Sequence, residues 1–172
     1  PDSSRVSAAL GSAADHFCKA HAFADAEAVL NDLVALRVPR LEATALVRRG
    51  RTRLDLGQPA LAAADFETVL EQHPTDPEAF EARFLLGRCR LDAGDSAGAE
   101  AVWRELLALD ELTPDAAEWR SALFALAKLL YGRGTAALAE SETNGIGTDV
   151  WGASALLPLD LKQKKSMRLQ KA

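Results

Sequence analysis

An all-α fold, a right-handed α-solenoid of about four helical hairpins, is what this sequence of 172 residues predicts, and three observations predict it. The first is the alphabet. There are 34 Ala and 27 Leu against 8 Val and a single Ile, a helix former's composition that lacks the β-branched residues strands favour. The second is a phrase written twice: residues 50–57 read GRTRLDLG and residues 87–94 read GRCRLDAG, with two letters changed, 37 positions further on. The third is a looser signature, a turn residue five positions before an alanine, at His21 and Ala26, Gly57 and Ala62, Gly94 and Ala99, and Gly134 and Ala139. Its spacings are 36, 37 and 40 residues. A hairpin of this length cannot bury its apolar face alone, so such units stack.

The elements follow in chain order. In the first unit the turn falls at His21, and Leu30 stands four positions after Ala26 as the large apolar residue of the second helix. In the second unit Gly57 ends one helix and Pro59 opens the next, where proline takes an early helical position and needs no donor. Phe66 follows Ala62 at the same four-residue step. The third unit is the clearest. Residues 77–92 place Phe80, Phe84, Leu85, Cys89 and Leu91 at helical spacing, Gly94 suits the left-handed residue after a helix, and Ser96 suits the cap of the next. Residues 97–109 then put Val102, Trp103, Leu106 and Leu107 on one face. Gly50 and Gly87 are expected to face Ala62 and Ala99, small against small where two helices approach. A fourth unit is expected to turn at Gly134 and to run early into Asn144, Gly145, Ile146 and Gly147.

With these residues in place the chain resembles the tetratricopeptide repeat family over about residues 7–140. Gly50 and Gly87 match its small residue in the first helix, Gly57 and Gly94 its turn glycine, Ala62 and Ala99 its second-helix alanine, Phe66 and Trp103 its aromatic, and Pro74 its closing proline. The chain departs from the pattern at Leu46, Arg83 and Leu123, where an aromatic is usual, and at Arg49, where leucine is usual. The resemblance implies a repeat domain over residues 1–143 that binds protein, followed over residues 144–172 by a linker and a basic tail. It implies a concave groove lined by the first helix of each unit. Helical spacing there selects Val47, Arg51 and Leu54, then Phe84, Arg88 and Leu91, then Phe124, Lys128 and Tyr131. Arg51, Arg88 and Lys128 share one register and would form a cationic ridge for an acidic, partly apolar partner segment. Two of them have an aspartate four residues on, Asp55 and Asp92, so solvated surface pairs are the alternative. The family's two-carboxylate clamp is not expected, because its sites in the first unit hold Gly11 and Asp15.

Charge and chemistry narrow the classes. Net charge is −5, and residues 160–172 hold five cations against Asp160, which leaves −9 on residues 1–159. That acidic body argues against nucleic acid, whose phosphates demand cations along the whole track. The longest apolar run, VWGASALLPL, is broken by Gly152 and Pro158, so no span of a membrane is expected. Cys18 and Cys89 match no metal spacing and read as buried free thiols. His16, His21 and His73 are too scattered for catalysis, and residues 145–147 with Gly152 lack both the spacing and the lysine of a phosphate loop. The expectation is a soluble, non-enzymatic scaffold or adaptor without cofactor, one component of a multi-protein assembly. The alternatives are a subunit of a bacterial cell-envelope or secretion complex, or a repeat appendage of an enzyme whose catalytic domain lies outside these residues. The chain opens on Pro1 and so reads as processed or excerpted; the compartment stays open, cytoplasmic or, after removal of a signal peptide, periplasmic or envelope.

Overall fold

The computed structural model describes residues 3–143, and among these residues it is all helical. Seven helices follow in order: α1 Ser3–Lys19, α2 Phe23–Ala35, α3 Glu42–Asp55, α4 Pro59–Gln72, α5 Glu78–Asp92, α6 Ser96–Leu107 and α7 Ala117–Thr143. Helices α1 to α6 pair as three hairpins, each helix packs on its neighbour in sequence, and α3 also packs on α5. The chain divides into two compact units, residues 1–126 and residues 127–172. The first holds α1 to α6 and the start of α7. Of the second, only the remainder of α7 is described; Lys128 and Tyr131 are exposed there, while Leu129 and Leu130 are half-buried. The expected linker and basic tail, residues 144–172, lie outside the described residues.

All three hairpin turns use one backbone device. Gly57 and Gly94 take φ of +73° and +82°, the left-handed conformation that glycine adopts without a steric penalty. His21 occupies the same place in the first turn at +57°. At each turn two backbone bonds close the helix end: His21 N–H to Cys18 O and Ala22 N–H to Phe17 O, Gly57 N–H to Leu54 O and Gln58 N–H to Arg53 O, Gly94 N–H to Leu91 O and Asp95 N–H to Arg90 O. This is the Schellman pattern, which satisfies the orphan carbonyls of a helix C-terminus. The repeated eight-residue phrase is therefore the last two turns of a helix together with its stop. Asp95, not the expected Ser96, caps α6; its Oδ1 accepts from Gly98 N–H at 2.8 Å.

The glycines at the start of the phrase have a different task from the one their spacing suggested. A Cβ on Gly50 would lie 2.5 Å from Phe66 Cε1, and one on Gly87 would lie 2.7 Å from Trp103 Cδ1. Each glycine leaves room for the aromatic of the partner helix, while Ala62 and Ala99 are fully buried beside it. The first hairpin keeps the rule with other sizes, since fully buried Ala14 and Leu30 hold the equivalent places. Trp103 is 1% exposed, and its indole N–H donates to Phe84 O at 3.1 Å. The turn expected at Gly134 does not form, and α7 continues through it. In that register Ala127 is exposed and Thr143 stands where Trp103 would be, so no large apolar residue rewards a hairpin.

Arg49, one of the departures from the expected repeat pattern, belongs to a charge network that sequence reasoning missed. Asp65 on α4 is 3% exposed and accepts from Arg49 at 2.6 and 3.1 Å and from Arg53 Nη1 at 2.8 Å. Arg49 also donates to Asn31 at 3.0 Å, and Arg53 to Glu27 at 2.9 Å, both on α2. Three helices from two hairpins meet there.

Replacing Trp103 by Ala should cost about 3–5 kcal/mol in urea unfolding. Gly87→Ala should destabilise the wild type by overpacking but be tolerated beside Trp103→Leu, which copies Ala14 and Leu30. A favourable coupling of about 1 kcal/mol or more in that double-mutant cycle is expected; additivity would contradict the assigned contact. Asp65→Ala should cost roughly 3–5 kcal/mol, because it strands two half-buried guanidinium groups, and a loss under about 1 kcal/mol would show that the network contributes little.

Candidate functional site

A groove of about 490 Å³ lies on the first-helix side of the array, within residues 51–121. Helical spacing builds it. Arg51, Leu54 and Asp55 lie one turn apart on α3, Glu81, Phe84, Leu85 and Arg88 form one stripe of α5, and Ala117, Glu118 and Ser121 come from the start of α7. Leu54 and Phe84 are half-buried and also pack on the main core, so the apolar floor of the groove is anchored from beneath. The charged side chains stand around it.

Of the residues selected from sequence, the structure brings Arg51, Phe84 and Arg88 together in this groove. Val47 is not part of it. Its side chain is 3% exposed and packs with Leu46, Phe66 and Leu85 in the core, where a small β-branched residue fits and the equivalent Phe84 does not fully enter. Phe124 is 72% exposed and is not among the residues that line the groove. Lys128 and the 75% exposed Tyr131 belong to the second compact unit. The three-cation ridge is thus reduced, within the first unit, to Arg51 and Arg88.

The electrostatics also differ from both sequence expectations. Arg51 does not pair with Asp55 four residues on; its Nη2 pairs with Glu81 Oε1 across the α3–α5 contact. Nearby, Thr44 Oγ1 donates to Glu78 Oε1 at 2.6 Å, a second link between the same helices. Among the described residues no carboxylate forms an ion pair with Arg88 and no cation pairs with Asp55 or Glu118. Burial pushes the Glu81 carboxyl above its ordinary 4.5; Arg51 pulls it back, and the negative charges of Glu118 and Glu78 push it up further. Sequence reasoning missed Glu81, Glu118 and Ser121. The available signal was the stripe itself, since Glu81 precedes Leu85 by four positions and Arg88 by seven.

A second hollow, of about 610 Å³, lies between α1 and α3. Arg48 crosses its wall, donating to Gly11 O at 3.0 Å and to Asp15 Oδ1 at 2.5 Å. The first-unit positions of the two-carboxylate clamp are therefore engaged in holding an arginine of the next hairpin. Both cysteines are free thiols: Cys18 is half-buried, and Cys89 is buried with its pKa pushed up to about 11 by loss of solvent. A thiol so placed stays protonated and is a packing residue. Among the described residues no helix is long and apolar enough to cross a membrane.

The tetratricopeptide repeat family model matches residues 47–117, from the middle of α3 to the first residue of α7. That span covers all but the last two residues that line the groove. No curated protein matches the chain.

The raised Glu81 pKa gives a pH test. The folded chain holds this proton more tightly than the unfolded one, so the contribution of Glu81 to stability is most favourable below the unfolded pKa and declines as pH rises through the interval above it. Unfolding free energies of Glu81→Gln and wild type should therefore diverge in favour of the variant as pH rises above 4.5, then run parallel. A difference that is flat across that interval would contradict the assignment.

Proposed function

We propose, from the premise that the chain is a tetratricopeptide repeat protein whose family model matches residues 47–117, that it is a non-enzymatic scaffold holding a segment of a partner protein in the groove of α3, α5 and the start of α7. Repeats of this family generally mediate protein–protein interaction, and their fold is typically a non-catalytic module. The observation that carries the reading is Phe84. A half-buried aromatic, seated on the core and flanked by charges from three helices, offers an apolar anchor with a polar rim, the arrangement that concentrates binding energy in protein interfaces.

The groove suits a short segment better than a whole domain. Its floor is a few side chains wide, and α3 and α5, which form two of its walls, pack directly on each other, so little ordering of those two is required on binding. Holding a segment in this way supports membership of a larger assembly, in which the repeat unit joins one component to another.

Filling the groove tests this without reference to charge. Peptides selected on the immobilised chain from a random library should lose at least about tenfold in affinity for Ser121→Trp, whose indole would occupy the groove, and should bind Arg104→Trp as they bind the wild type. Arg104 lies on α6, paired with Glu100, and lines no part of the groove. Peptides indifferent to Ser121→Trp would remove the groove from consideration as the binding surface.

A further inference from the structure

We infer that the segment held in this groove is basic and apolar, a stretch in which Lys or Arg side chains flank one or two large apolar residues. The inference rests on the groove reading above and adds the sign of the partner's charge.

The side chains that line the groove decide it. Arg51 and Glu81 neutralise one another across α3 and α5, which leaves Arg88 against the two carboxylates of Asp55 and Glu118. Glu78, held by Thr44, adds a third carboxylate whose charge is felt at Glu81. An acidic segment would meet this set at close range, and like charges at an interface cost affinity and suppress the wrong partner. A basic one would compensate Asp55 and Glu118 while burying its apolar residue on Leu54 and Phe84. The long-range field agrees, because residues 1–159 carry −9 and draw cations toward the array from beyond the groove itself.

The Glu81 carboxyl feels the carboxylates around it. Burial raises its pKa and Arg51 lowers it, while the charges of Glu118 and Glu78 act in the raising sense, which places both of those carboxylates within electrostatic reach of Glu81. Arg88 then has a selective role. Standing one turn beyond Phe84, it penalises an unbroken run of cations at that point.

The test uses the complete chain and the random-library peptides described above. Selected peptides should carry net positive charge with at least one large apolar residue. When the best of them is synthesised, Glu118→Lys should weaken its binding by about tenfold or more, Arg88→Glu should leave it equal or tighter, and Glu71→Lys should change it by less than about threefold. Glu71 lies on α4 and lines no part of the groove, so it measures the general field alone. Peptides that are acidic and lost in Arg88→Glu would overturn the inference and leave the groove reading intact, as would neutral peptides indifferent to both substitutions. Peptides that are cationic but insensitive to Glu118→Lys would overturn it too. Peptides indifferent to Ser121→Trp, or a selection that enriches nothing, would overturn the groove reading along with it.

Discussion

Each hairpin of this protein depends on a trade of volume between two positions sixteen residues apart. Phe66 and Trp103 are too large to lie between two helices that both carry side chains at the point of contact, so the facing position is glycine, at Gly50 and Gly87. Where the second-helix residue is the smaller Leu30, the facing residue is Ala14. A close-packed interior feels a single methyl group, and the larger second-helix residue is matched by the smaller facing one across the contact. Glycine in a helix interior costs about 1 kcal/mol against alanine, and burial of a large aromatic offsets it several times over. The distance between the two helices of a hairpin is set here.

Stacking one hairpin on the next uses polar as well as apolar contacts. Val47, Leu46 and Phe66 meet Leu85 and Cys89 across the second and third hairpins, and apolar packing there needs no further device. Between the first and second, Asp65 is drawn into the core side of α4 and is satisfied only when Arg49 and Arg53 reach it while also holding Asn31 and Glu27. Buried ion pairs give little net stability, because desolvation consumes most of the attraction, but they penalise any arrangement in which a partner is missing. Such a network is met in one register of α2 against α4. Arg48, bound to the exposed Asp15 and to Gly11 O, links α1 to α3 nearer the surface, where an ion pair contributes less.

The scaffold was legible because it is built by repetition, and repetition is visible in one sequence. The phrase ending at Gly57 and at Gly94 declared its turn, and the step from Ala62 to Phe66 and from Ala99 to Trp103 declared the buried face of the second helix. What stayed hidden depends on contacts between residues distant in sequence. Val47 and Phe84 share a register, yet one is core and the other groove, a difference of side-chain size that periodicity does not encode. Arg51 was legible as an exposed cation, but its choice of Glu81 over the nearer Asp55 is made by the approach of α5 to α3. Gly134 carried the turn signature without Thr143 or Ala127 being able to supply a hairpin core, so a local signal failed for lack of tertiary support. The matched span of the family model, residues 47–117, stops short of that position.

Repetition by itself would give a uniform surface with no address on it. The groove arises where consecutive units stop being equivalent. At one shared register position the first helices carry Thr44, Glu81 and Ser121, and at the next Val47, Phe84 and Phe124. Thr44 is small enough to let α5 come close and donates to Glu78, while Glu81 reaches back to Arg51. Ser121 leaves the space open on the α7 side, above a floor that Phe84 fills because it is too large for the site its counterpart Val47 occupies. The repeated residues fix where the helices stand, and the unrepeated ones decide the shape and charge of the space between them. The groove of this chain is therefore shaped by the residues that a repeat consensus leaves undefined.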